Sequence, residues 1–69
     1  MKNLFSKRFL ELRLERKLSQ EKLAKVFNIG QQTDSKWENC ICEPDYDTLL
    51  KVADYFDVTT DYLLGRVDF

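Results

Sequence analysis

The sequence predicts an all-α domain of five short helices, and three observations carry that prediction. Apolar residues recur at three- and four-residue intervals, and no stretch sustains the alternation of a strand. Capping residues and chain breaks divide the 69 residues into five such periods. Hydrophobic residues make up 43% of the chain and charged residues 33%, which suits one small core under a charged surface rather than a disordered segment.

The elements follow in order. Residues 4–17 set Phe5, Phe9, Leu12 and the stem of Arg16 at i, i+4, i+7 and i+11, one face of an amphipathic helix. Ser19 is a suitable N-cap for a second helix, with Glu21 in its first turn and Leu23, Ala24 and Phe27 on its inner face. Asn28-Ile29-Gly30 breaks the chain, and Gly30 can start a third helix running from Gln31 to about Asn39. Cys40 to Pro44 reads as a connection. Asp45 caps a fourth helix, 46–56, with Leu49, Leu50, Val52, Ala53 and Phe56 inward. Thr59 caps a fifth, 60–64, closed by Gly65. One domain over 1–69 is expected, with its core in 5–65 and a tail at 66–69.

Composition excludes several roles. No apolar run approaches the ~18 residues of a membrane span, and the charged start lacks the apolar stretch of a signal peptide, so a cytoplasmic protein with no membrane partner is expected. Cys40-Ile41-Cys42 has the wrong spacing for a zinc knuckle, and the chain has no histidine to complete a ligand set. No metal and no cofactor are expected. Two incidental thiols in a reducing compartment are the simplest reading, with a redox-sensitive loop as the alternative. There is no Gly-rich phosphate loop and no nucleophile paired with a base, so the chain is read as a non-enzyme with no small-molecule ligand.

Net charge is −1, but it is unevenly spread. Residues 1–38 hold nine Lys and Arg against five acids, and residues 39–69 hold two against seven. A basic half suits a polyanion, although chance clustering on a solvated surface produces the same pattern. The stretch 19–38 is more informative. Two short helices about four residues apart have the spacing of a helix-turn-helix, whose second helix enters the DNA major groove. Gln31, Gln32 and Thr33 would lead that helix, with Lys36 one turn on. Glutamine can bond adenine bidentately, the threonine methyl can pack on thymine, and lysine can reach a phosphate or a guanine edge. By itself, Gln-Gln-Thr is more simply read as a plain polar face.

The order of segments resembles the Cro and phage-repressor family, also called the xenobiotic-response-element family. Ser19-Gln20-Glu21-Lys22-Leu23-Ala24 is similar to its second-helix signature. Lys36-Trp37-Glu38-Asn39 followed by Glu43-Pro44 is similar to the end of its third helix and the next turn. Leu49 to Val58, then Asp61-Tyr62-Leu63-Leu64-Gly65, is similar to its fourth and fifth helices. The resemblance spans about residues 5–66 and implies a lambda-repressor-like five-helix domain. It implies base-facing positions at Gln31, Gln32, Thr33 and Lys36, and phosphate contacts at Gln20, Ser35 and Asn39. Gln20 would also brace Gln31. Arg13 and Glu38 match a structural pair that ties helix 1 to helix 3.

Two positions depart from the family. Asp34 stands where the family has Val or Ile, on the inward face shared with Trp37 and Glu38. A buried carboxylate there must find a partner, such as Arg13, or take up a proton. Cys40 stands where the family has Gly, so a left-handed backbone there costs roughly 1 kcal/mol. Ile41 and Cys42 replace residues often basic in the family. Leu10 and Leu14 lie off the core stripe, so they are expected to meet either the tail, Val67-Asp68-Phe69, or another chain. The function the resemblance implies is sequence-specific binding of a double-stranded operator by a transcriptional regulator, acting on DNA as a homodimer. The alternative is an antitoxin-like protein-interaction module with weak DNA affinity.

Overall fold

The computed structural model describes residues 4–68, and among them there are five α-helices and no strand. They are α1 (Phe5–Glu15), α2 (Gln20–Val26), α3 (Gln31–Glu38), α4 (Tyr46–Phe56) and α5 (Thr60–Leu64). Three helices start on a side-chain cap. Ser19, Asp45 and Thr59 accept hydrogen bonds from the backbone N–H groups of Lys22, Thr48 and Tyr62 at 2.9–3.0 Å. The caps of α1 and α3 are Leu4 and Gly30, neither with a side-chain bond.

All five helices end the same way. A residue with positive φ follows the last turn: Lys17, Asn28, Cys40, Asp57 and Gly65. The next N–H then reaches back five residues, from Leu18 to Arg13 O, Ile29 to Ala24 O, Ile41 to Lys36 O, Val58 to Ala53 O and Arg66 to Asp61 O, at 2.8–3.1 Å. This closure absorbs carbonyls that the helix leaves unpaired, and it favours an apolar residue just beyond the turn. Leu18, Ile29 and Val58 fill that place against the core, whereas Ile41 stays 69% exposed. At Gly65, with φ +86°, a Cβ would meet Leu4 Cγ at 2.7 Å, so the glycine serves both the turn and the close approach of the first helix.

The core is aromatic and centred on Phe9. Its ring lies 5.3 Å from Phe5, 5.5 Å from Trp37, 6.2 Å from Phe56 and 6.5 Å from Phe27, centroid to centroid. Leu23, Val52 and Leu63 complete it with no exposed surface. All five helices thereby share one apolar cluster, and the two that carry residues 20–38 are held from behind.

Three expectations need correction. The first helix ends at Glu15, not 17, because Arg16 and Lys17 form the closing turn. The third ends at Glu38, with Asn39 as its cap. Leu50 is 55% exposed, since Val52, Ala53 and Phe56 already fill the inward arc of α4 and Leu50 falls about 100° from Leu49. Leu10 is half-buried and Leu14 exposed. The tail residues Val67 and Asp68 engage Arg8, while Phe69, expected to cover the leucines, lies outside the described residues. No helix among the described residues is long and apolar enough to cross a membrane.

Candidate nucleic-acid interface

Helices α2 and α3 are joined by four residues, 27–30, and pack against each other. Helical phase sends α3's residues to two sides. Asp34 and Trp37 point into the core and are buried, and Glu38 lies beside them. Gln31, Gln32 and Lys36 are exposed, with Thr33 and Ser35 half-buried at the edges. Asn39 follows at the cap, where its Nδ2 donates to Ser35 O at 2.9 Å and Ser35 Oγ at 3.3 Å. Two of the three residues expected to touch backbone phosphates thus hold one another in place. Exposed Lys22 and Lys25 lie on α2.

Behind this face is a polar cluster. Arg13 Nε donates to Glu38 Oε2 at 2.8 Å and Arg13 Nη2 donates to Glu38 Oε1 at 3.0 Å, a two-pronged bond between α1 and α3. Arg13 Nη1 donates to Leu18 O at 2.9 Å, which binds the turn after α1 into the same cluster. Gln20 Nε2 donates to Glu38 Oε1 at 3.0 Å. That is a correction: the Gln20 amide is turned toward Glu38 rather than bracing Gln31, because the first turn of α2 faces the last turn of α3. The Glu38 side chain is only 5% exposed. Burial pushes its carboxyl up, but hydrogen bonds from Asp34, Arg13 and Gln20 and the charge of Arg13 outweigh that and hold it below the ordinary value.

Asp34 has no such support. It is 0% exposed, and neither carboxyl oxygen has a donor from the protein. The expected rescue by Arg13 does not occur, since the guanidinium is already turned to Glu38 and Leu18. Burial first, then the hydrogen bond to Glu38 and the repulsion of its charge, push the Asp34 carboxyl up from 3.8 to about 7, with Arg13 opposing. Two carboxylates cannot bond each other, whereas a carboxylic acid can donate to a neighbouring carboxylate.

Two tethers were not anticipated from the sequence. Arg8 lies 4.2 Å over the Tyr62 ring and its Nη1 donates to the carbonyls of Tyr62 and Val67 at 3.1 and 3.2 Å. Arg16 Nη2 donates to Phe56 O at 3.1 Å. The only hint in the sequence was the position of Arg16 on the α1 stripe. Among the described residues no cluster of three or more His, Cys, Asp or Glu side chains could hold a metal, and Cys40 and Cys42 are free thiols.

Comparisons with known proteins agree with this arrangement. A family model described as helix-turn-helix matches residues 9–63. The HTH-type transcriptional regulator ImmR of Bacillus subtilis is 42% identical over 60 residues, covering 87% of this chain and 47% of its own length. The chain spans about half the length of the Bacillus regulators it matches. Among solved structures, a transcriptional regulator from Listeria innocua superposes with a TM-score of 0.91 at 25% identity, over 97% of this chain and 63% of that one. The P22 c2 repressor, solved in complex with a synthetic operator, superposes with a TM-score of 0.82 at 30% identity, over 88% of this chain and 92% of that one.

Proposed function

The chain belongs to the helix-turn-helix family of Cro and phage-repressor type, and from that premise we propose that residues 5–65 bind duplex DNA sequence-specifically as the reading unit of a transcriptional regulator. The observation that carries the reading is the division of α3. Its inward residues are held by the core and the Arg13–Glu38 bond, and its outward residues Gln31, Gln32 and Lys36 are free and exposed. A rigid helix with a polar outer face is what major-groove readout requires.

In this reading α3 enters the major groove. Gln31, Gln32, Thr33 and Lys36 face base edges. Ser35, Asn39 and Gln20 meet the backbone. Gln20 keeps a second amide hydrogen and a carbonyl for that task while it holds Glu38. Two copies would bind a palindromic site, one half-site each. The protein acts by binding rather than catalysis and works in the cytoplasm. The P22 c2 repressor, with its synthetic operator, supports the choice of partner.

Selection from a random duplex pool, followed by titration of the recovered duplex at several salt concentrations, tests this. Affinity should fall steeply with salt. Gln32→Ala should cost about 1–3 kcal/mol on the recovered duplex and little on random DNA. A flat salt dependence would favour the protein-interaction reading, which the exposed apolar Ile41 beside α3 supports.

A further inference from the structure

Asp34 is buried on the back of the helix whose front is proposed to read DNA. The groups around it are few. Glu38 stands one turn on along α3, Arg13 approaches from α1, and Gln20, uncharged, approaches Glu38 from α2. Each of the three Arg13 nitrogens is engaged elsewhere, Nε and Nη2 on Glu38 and Nη1 on Leu18 O. An Asp34 carboxylate would therefore sit beside the Glu38 carboxylate with both of its own oxygens unpartnered. An Asp34 carboxylic acid removes one of the two negative charges and supplies the missing donor. The cluster then runs unbroken from Asp34 through Glu38 to Arg13 and Gln20, joining three helices.

We propose that Asp34 in its acid form is a positioning residue for the DNA-reading face: its O–H bond to Glu38 seats α3 against α1 and α2, and loss of that proton to solvent unseats the helix and weakens DNA binding. The second half of the proposal rests on the DNA-binding reading; the first half does not. Burial and Glu38 bring the Asp34 carboxyl to about 7, within the span of ordinary cellular pH. The chain has no histidine, so no other side chain type normally titrates between pH 6 and 8. Helix α3 has only eight residues. A change at its inward face is therefore at most one turn from every outward side chain.

The test has two arms. In the first, NMR follows the free isotope-labelled chain from pH 5.5 to 8. The Asp34 carboxyl carbon should titrate with a midpoint near 7, and the backbone amides of α3 should shift with the same midpoint. Asp34→Asn keeps the shape and a donor without the ionisable group, so those amide shifts should flatten. Asp34→Val should flatten them too, and it serves if the Asn variant does not fold. An Asp34 midpoint below about 5, or α3 amides that move identically in the variants, overturns the proposal.

The second arm measures fluorescence anisotropy with a labelled duplex recovered by selection, at fixed salt. Wild-type affinity should fall about three- to tenfold from pH 6 to 8, by the reciprocity between proton and DNA binding, and the Asp34→Asn affinity should stay within about twofold. Equal falls in the two proteins overturn the functional half. If selection recovers no sequence, the DNA reading fails by itself, and the NMR arm still decides whether the proton seats α3.

Discussion

Helices α3 and α4 differ in nearly every device that stabilises a helix. α4 has eleven residues, an Asp45 side-chain cap and an inward face of Val52, Ala53 and Phe56. Its closing turn is followed by Val58, which packs on the core. α3 has eight residues, a glycine at its cap, a buried Asp34 among its inward residues and a closing turn followed by exposed Ile41. α4 would hold its place by local chemistry and apolar burial. α3 is held by Trp37 in the core and by polar bonds from two other helices. The helix that faces the proposed ligand is thus the one most dependent on its neighbours, in keeping with binding elements being drawn from the less stable parts of a fold.

The largest effect should come from removing the bond that α4 has no counterpart for. Arg13→Ala leaves the Glu38 carboxylate buried without its charged partner, and should destabilise the domain by about 3–5 kcal/mol in denaturant unfolding. A loss below about 1 kcal/mol, the scale of an exposed ion pair, would mean that α3 is held by Trp37 alone.

Asp34→Val makes the inward face of α3 resemble that of α4 and should stabilise by about 1–4 kcal/mol at pH 8. The sign with pH follows from the raised carboxyl. Between 3.8 and about 7 the folded chain holds a proton that the unfolded chain has released, so wild-type stability falls as pH rises through that window and levels off above it. The valine variant lacks that fall, so its advantage should be greatest at pH 8 and shrink toward pH 5. Thermal unfolding at both values checks it, and an advantage that grows toward pH 5 would contradict the buried acid.

Two smaller changes act on the ends of α3. Cys40→Gly removes a side chain from a residue at φ +62° and should stabilise by about 1 kcal/mol. Gly30→Ser supplies the missing cap. The Gly30 backbone is extended and a Cβ there meets nothing within 4 Å, so a gain of about 0.5–1 kcal/mol is expected in chemical denaturation. A loss in either case would show that α3's ends are constrained by more than local geometry.

The sequence by itself determined what depends on near neighbours. Helix starts at Ser19, Asp45 and Thr59, the stop at Gly65 and the inward phase of Phe5, Phe9, Leu12, Leu23, Phe27 and Trp37 all follow from interactions spanning a few residues or from helical periodicity. The inward direction of Asp34 was legible on the same ground. Which partners arrive from elsewhere in the chain was not. Only the tertiary structure turned Gln20 toward Glu38, left Leu50 and Ile41 in solvent, laid Arg8 on Tyr62 and committed the nitrogens of Arg13 before Asp34 could use them. Each of those outcomes is a competition among side chains brought together by packing. Arg13 has one guanidinium and two carboxyls within its influence, and the geometry between α1 and α3 awards it to Glu38. That single choice is what leaves both Asp34 oxygens buried without a partner.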